Sequence, residues 1–263
     1  MVIEAKRLEP PSRLLLLMEL RAFWELGAFF ASIPFLRMMP RGDGHPVLVL
    51  PGLMASDTST RPLRAFLQDR GYVPHGWEMG RNLGPRSGVE DGMTAKLEEI
   101  AAQSGRKVSL IGWSLGGLYA RVLASKAPDS VRQVITLGTP FTGDPRASNA
   151  WRLFEHTSGL SVDDAHWRRV LKEPPPVPTT SIYSRSDGIV TWQCSVERER
   201  PQAENIEIEG SHCGLGHNPA ALYAIADRLA QPEGEWQPFR RISLHRLLYL
   251  DPERNKQAVF SAG

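Results

Sequence analysis

The sequence predicts an α/β fold: a mostly parallel, doubly wound sheet with helices on both faces, an apolar N-terminal helix and a small cap or lid insertion. Three observations predict it. Short apolar runs alternate with longer amphipathic stretches from residue 46 to residue 229. The first apolar run ends at Pro51-Gly52 and has no polar alternation, as in a strand buried on both faces. A chain of 263 residues, 41% hydrophobic and 23% charged, can fill a sizeable core and lacks the bias of a disordered segment.

Residues 12 to 33 read as a helix. Leu14, Leu15, Leu17, Met18, Phe23, Trp24, Leu26, Phe29 and Phe30 recur too densely for one face, so most of that helix must be covered. Arg21 and Glu25 are spaced to share a face, and Glu19 projects away from them. A helix packed on the main domain, a dimerisation arm and a membrane-surface anchor are all open readings. The uncharged stretch Leu26 to Leu36 is too short to span a bilayer and contains Pro34. The first 13 residues mix five charges with two prolines, and no export signal is evident. The expectation is a cytoplasmic protein, soluble or peripherally attached to a membrane.

Pro46–Leu50 is the first strand, and residues 58 to 69 form a helix closed by Gly71. Tyr72–Trp77 holds a weaker strand because of Pro74. Residues 91 to 103 place Met93, Leu97, Ile100 and Ala101 on one helix side. Lys107–Gly112 is a strand, Ser114–Ala127 a helix and Val131–Leu137 the next strand. Thr179–Tyr183 and Asn205–Glu209 are two more strands, and Asn218–Leu229 is the last helix. Residues 142 to 176, with Trp151, Phe154, Leu160, Trp167 and Pro174-Pro175-Pro176, interrupt the alternation as a candidate lid. The chain therefore divides into an apolar arm (1–44), a core (45–230) and a C-terminal extension (231–263).

Thirty-one basic residues against 29 acidic ones give a net charge of +2, which does not favour nucleic acid as the main partner. Two cysteines, Cys194 and Cys213, cannot build a disulfide scaffold. One bridge between them and two free thiols are both open.

The chemistry centres on Gly112-Trp113-Ser114-Leu115-Gly116, between a strand and a helix. Glycines flank the serine where a sharp turn forces backbones together, and the turn lifts the hydroxyl off the sheet's carboxyl edge. A serine needs a base, usually a histidine held by a carboxylate. His212 follows the strand ending at Glu209, and His217 is its rival at a helix start. His45, His75, His156, His166 and His245 are read as surface or packing residues. Asp187 follows the strand ending at Tyr183 and completes the order Ser, Asp, His. Asp163 and Asp164 lie in the insertion, while Glu197 and Glu199 sit in a charged run read as solvated. The backbone N–H groups of Leu115 and Leu53, with Met54 as the alternative to Leu53, are the candidate oxyanion donors.

Over residues 45 to 230 the sequence resembles the lipase and carboxylesterase branch of the α/β-hydrolase superfamily. The resemblance is carried by Pro51-Gly-Leu-Met, Gly112-Trp-Ser-Leu-Gly-Gly, Leu137-Gly-Thr-Pro-Phe141, Ser186-Asp-Gly-Ile-Val and His212-Cys-Gly-Leu. Pro51 stands where many relatives carry a histidine before the oxyanion glycine. The expected reaction is hydrolysis of carboxylic esters through an acyl-enzyme, with no metal or organic cofactor required. The expected substrate has an apolar acyl group facing Met54, Trp113, Phe141, Ile189, Val190 and Trp192, although these side chains equally suit an ordinary core. An acyltransferase would use the same triad, and a non-enzymatic binding protein would be expected to lack one of its members. Beyond substrate, the expected partners are a membrane surface or a second copy met through the N-terminal helix.

Overall fold

The structure is a computed structural model, and it describes residues 8–164, 174–241 and 248–250. Trp167, His166 and His245 lie outside the described residues, as do parts of the insertion and of the C-terminal extension.

Six strands form one wholly parallel sheet in the order β2-β1-β3-β4-β5-β6. They are β1 (Pro46–Leu50), β2 (Val73–Gly76), β3 (Val108–Trp113), β4 (Val131–Leu137), β5 (Thr179–Tyr183) and β6 (Ala203–Glu207). Pro74 is accommodated because β2 is an edge strand paired only with β1, where a missing N–H costs no ladder bond. The last strand starts two residues earlier than its apolar core suggests, since Ala203 and Glu204 pair with β5 at the other edge.

Alternate residues of the apolar runs feed two cores. Val47 and Val49 of β1, with Ile111, Ile135 and Ile182, face α2 (Ala22–Leu36), α3 (Arg61–Asp69) and the final helix, here α7 (Pro219–Leu229). Leu48 and Leu50, with Leu110 and Val134, face α4 (Val89–Ser104) and α5 (Leu115–Lys126). That is why β1 is apolar throughout: neither of its faces meets water. The chain steps outward from β1 to β2 and back past β1 to β3, so the order reverses between β1 and β3. The crevice at the carboxyl ends of those two strands is where open α/β sheets bind ligands. The insertion contributes α6 (Trp151–Ser158).

The N-terminal stretch is helical but not one regular helix. α1 (Arg13–Leu17) passes through a 3-10 turn (Met18–Arg21) into α2. Ser12 caps α1 by accepting the Leu15 N–H at 3.3 Å. Leu26, Phe29, Ile33 and Leu36 form the inner face of α2 against α7. Among the described residues, no helix is long and apolar enough to cross a membrane.

Candidate active site

Ser114 occupies the turn between β3 and α5 with φ 52° and ψ −120°, a conformation L-residues rarely adopt. The turn is tight enough that a Cβ on Gly112 would enter the backbone of Gly116 and Gly117, and one on Gly116 would strike the Leu50 carbonyl. Both glycines of the motif are thus required by packing. The Ser114 N–H donates to the Leu137 carbonyl at 2.8 Å, tying the turn to the end of β4.

Asp187 and His212 meet above the same sheet edge. The imidazole Nδ1 lies 2.6 Å from Asp187 Oδ2, and an ionised carboxylate can only accept, so Nδ1 carries the hydrogen. The other carboxylate oxygen accepts the N–H groups of Ile189 (2.8 Å) and Val190 (2.7 Å), so Asp187 is held on both sides. Both residues are buried. Burial alone would depress the His212 pKa; the charge and hydrogen bond of Asp187, with the Glu19 carboxylate nearby, outweigh it and raise the pKa above its ordinary value. The His212 carbonyl accepts the indole N–H of Trp113, the residue before Ser114, at 3.0 Å. Gly138, just after β4, abuts both His212 Nδ1 and Asp187 Oδ2. His217 is engaged elsewhere, its Nε2 3.1 Å from the Ala22 carbonyl.

The loop after β1 is held by Asn82, which is fully buried. Its amide donates to the Pro51 carbonyl at 2.8 Å, and its backbone pairs with Met54 N–H (2.7 Å) and the Ala55 carbonyl (2.8 Å). Met54 N–H is therefore occupied, which leaves Leu53 as the better-placed donor of the two. Leu115 opens α5, where the first amides have no intrahelical acceptor. Leu53, Ser114 and Leu115 line one cleft together with Leu118, Trp151, Phe154 and Val190. Of the six side chains expected around an acyl group, Val190 lines this cleft. Trp113 instead packs across Gly216, and Phe141 lies under the Arg121 guanidinium at 3.9 Å. Trp192 stacks on Tyr183 with ring centroids 5.8 Å apart and borders a different cleft. Met54 and Ile189 flank the loops without lining the cleft over Ser114.

Glu197 is not solvated as its charged neighbours suggest. It is buried in an ion pair with Arg121 at 2.5 Å, so its run of charges is only partly a surface. Cys194 and Cys213 are free thiols, and no bridge joins their loops. Burial pushes the Cys194 thiol up to about 12, which makes it a poor nucleophile.

The residues that sequence reasoning misses are on the N-terminal arm. Glu19 is buried and accepts three backbone N–H groups from the two catalytic loops: Gly188 (2.7 Å), His212 (2.9 Å) and Cys213 (2.8 Å). Glu25 accepts the Ser211 N–H at 2.8 Å and its hydroxyl at 2.7 Å. Arg21 donates to the Ser186 carbonyl at 2.6 Å and its hydroxyl at 2.9 Å. Glu19 does not project away from the other two, because the 3-10 turn advances roughly 20° more per residue than an α-helix and swings it round. Gly188 and Gly214 leave room for this grip: a Cβ on Gly188 would strike the Leu15 carbonyl, and one on Gly214 the Glu25 carboxylate. The usable signal is three charges inside an apolar helix, since a carboxylate in such company must find donors.

Comparison with known proteins agrees with this architecture. A family model described as alpha/beta hydrolase fold matches residues 97–165. The chain is 32% identical over 108 residues to a triacylglycerol lipase of Pseudarthrobacter phenanthrenivorans, covering 38% of this chain and 34% of that one. A triacylglycerol lipase of Burkholderia plantarii matches at the same identity over 38% of this chain and 30% of its own. The chain thus spans about a third of the length of these relatives. The Paleococcus ferrophilus monoacylglycerol lipase structure superposes with a TM-score of 0.55 at 17% identity, covering 73% of this chain and 96% of that one.

Proposed function

As a member of the α/β-hydrolase superfamily, this chain is, we propose, a serine hydrolase that cleaves carboxylic esters through an acyl-enzyme. The observation that carries the reading is the buried Asp187–His212 hydrogen bond on the sheet edge that holds the strained Ser114 turn. With Nδ1–H committed to Asp187, Nε2 is the basic nitrogen. It takes the Ser114 proton as Oγ attacks the ester carbonyl, and the N–H groups of Leu53 and Leu115 hold the resulting oxyanion. His212 then protonates the leaving alcohol, and a water attacking the acyl-enzyme repeats the cycle with the same base. Asp187 keeps the imidazole in the productive tautomer and stabilises its charged form.

The cleft over Ser114 supports an apolar acyl group. Leu53, Leu118, Trp151, Phe154, Val162 and Val190 supply its apolar wall, and three of the six come from the 142–176 insertion, which supports reading that segment as a cap. The relatives named as triacylglycerol lipases and the apolar lining favour an ester of a fatty acid. A series of p-nitrophenyl esters from acetate to palmitate, with and without emulsion, tests this. Turnover should rise with chain length into the medium range, and Ser114→Ala should reduce it on the order of a millionfold while the melting temperature is kept. Wild-type turnover in that variant would remove the proposal.

A further inference from the structure

The N-terminal arm is inverted relative to an ordinary surface helix. Its charged side chains Glu19, Arg21 and Glu25 point into the protein, and large apolar ones point out. Trp24 is 82% exposed and Phe23 77%, and Leu14, Leu17, Leu20, Phe30, Phe35 and Met38 are exposed beside them. α2 already has its core contact through Leu26, Phe29, Ile33 and Leu36, so this outer face is a second apolar surface with no partner among the described residues. Such a contiguous patch marks a binding site.

The charges around it select the partner. Between Ser12 and Arg41 the only exposed charged residues are Arg13, Arg37 and Arg41; both acids of that stretch are turned inward. Arg37 keeps a loose pair with Asp69 at 3.6 Å. Glu9 lies before the stretch and Asp43 after it, the latter already paired with Arg106 and Arg132. An apolar, aromatic helix face whose own exposed charges are all arginine fits the interface of an anionic bilayer: rings and aliphatic chains enter the acyl boundary and guanidinium groups meet phosphates. A second copy of the chain would bring arginine against arginine at the same fringe. The arm also ends beside the cleft. The Pro11 carbonyl accepts from Asn149 at 3.0 Å and the Glu9 carbonyl from Thr191 at 2.5 Å, next to Ser148, Ala150 and Val190 of the cleft lining.

We propose that residues 12–41 seat the protein on an anionic lipid surface, with the outer face of the arm inserted and the cleft rim at the membrane. This assignment stands apart from the ester chemistry, since the side chains that enter the lipid are on the outer face of the arm and none of them touches Ser114, Asp187 or His212 or holds their loops. The test is sedimentation of the full chain with two sets of vesicles: phosphatidylcholine alone, and equal parts phosphatidylcholine and phosphatidylglycerol. The expected result is binding to the mixed vesicles, weakened by salt, with a blue shift of tryptophan emission that Trp24→Phe reduces. Phe23→Ser combined with Trp24→Ser should weaken binding at least about tenfold, and Arg13→Glu with Arg41→Glu should lower it on the mixed vesicles. Hydrolysis of a water-soluble short ester should be unchanged in both variants. Equal affinity for the two vesicle types, or binding that survives the Phe23/Trp24 change, would overturn the proposal. So would a wild-type dimer that the same change converts to monomer, since a second copy would then own the surface.

Discussion

Glu19 shows how much one side chain can do without touching substrate. Its two oxygens satisfy N–H groups that follow Asp187 and that belong to His212 and Cys213, so it fixes the separation of the two loops. Its charge also helps to raise the His212 pKa. The proposed base works as the neutral imidazole, so activity should fall as pH drops through that raised value, above the ordinary imidazole value of about 6.5. Glu19→Gln keeps the shape, removes the charge and replaces one of the two accepting oxygens by a donor. It should lower kcat roughly tenfold with little change in KM, and move the acid limb of the kcat/KM profile to lower pH. A variant that lost activity by local misfolding would not move that limb. Asn82→Ala makes a companion prediction. It releases the Pro51 carbonyl and leaves buried partners unsatisfied, at about 1–3 kcal/mol. Ester turnover should drop by about tenfold or more while the His212 limb stays in place.

At the scale of elements, the strands β1, β3 and β4 are legible because each is a short, largely apolar run next to helix-period stretches, and β5 because Thr179-Thr-Ser-Ile-Tyr183 is rich in β-branched and aromatic residues. Their registers and order are not, since nothing local says that β2 lies outside β1. The nucleophile turn is legible because its glycines answer to backbone collisions that no other residue would survive. The arm is only half legible. Its density of apolar side chains announces a helix, but two faces of different destination look alike in the sequence. Which residues enter the core depends on α7, far along the chain. Phe29→Ala, on the inner face, should cost about 3–5 kcal/mol and lower the melting temperature. Phe30→Ala, the next residue, is 60% exposed and should change stability by under about 0.5 kcal/mol. Equal effects in thermal unfolding would mean that the two faces are misassigned. The pocket was the least legible part: Trp113, Phe141 and Trp192 sit next to catalytic loops in sequence, yet aromatic side chains are as readily spent on packing those loops as on lining a cleft.

For the molecule as a whole, a buried polar cluster below the sheet links stability to pH. His45 lies fully buried, with Nδ1 2.5 Å from Asp43 and Nε2 2.8 Å from the Ser109 hydroxyl, beside Arg132. Burial, aided by the Arg132 charge, lowers its pKa from 6.5 to about 4. The folded state therefore refuses a proton that the unfolded chain accepts. The contribution is fully present above pH 6.5 and is lost as pH falls toward 4, amounting to on the order of 3 kcal/mol. Urea unfolding at pH 7 and at pH 4.5 measures it, and His45→Asn should flatten the difference; an unaltered slope would assign the acid sensitivity to other groups. The same whole-molecule view explains why the arm belongs with the catalytic loops. A sheet edge can position a serine by its own backbone, but the aspartate and histidine loops emerge from two strands and are tied together by a carboxylate from the start of the chain.

The most direct probe of the Ser114 site is covalent. A fluorophosphonate reagent reacts with a serine only when its hydroxyl is activated by a neighbouring base, and mass spectrometry of the digested protein locates the adduct. One phosphonyl group should be found on Ser114 in the wild type, and its rate of attachment should collapse in His212→Ala. Rapid labelling of another residue, or of Ser114 at an undiminished rate without the imidazole, would contradict the account.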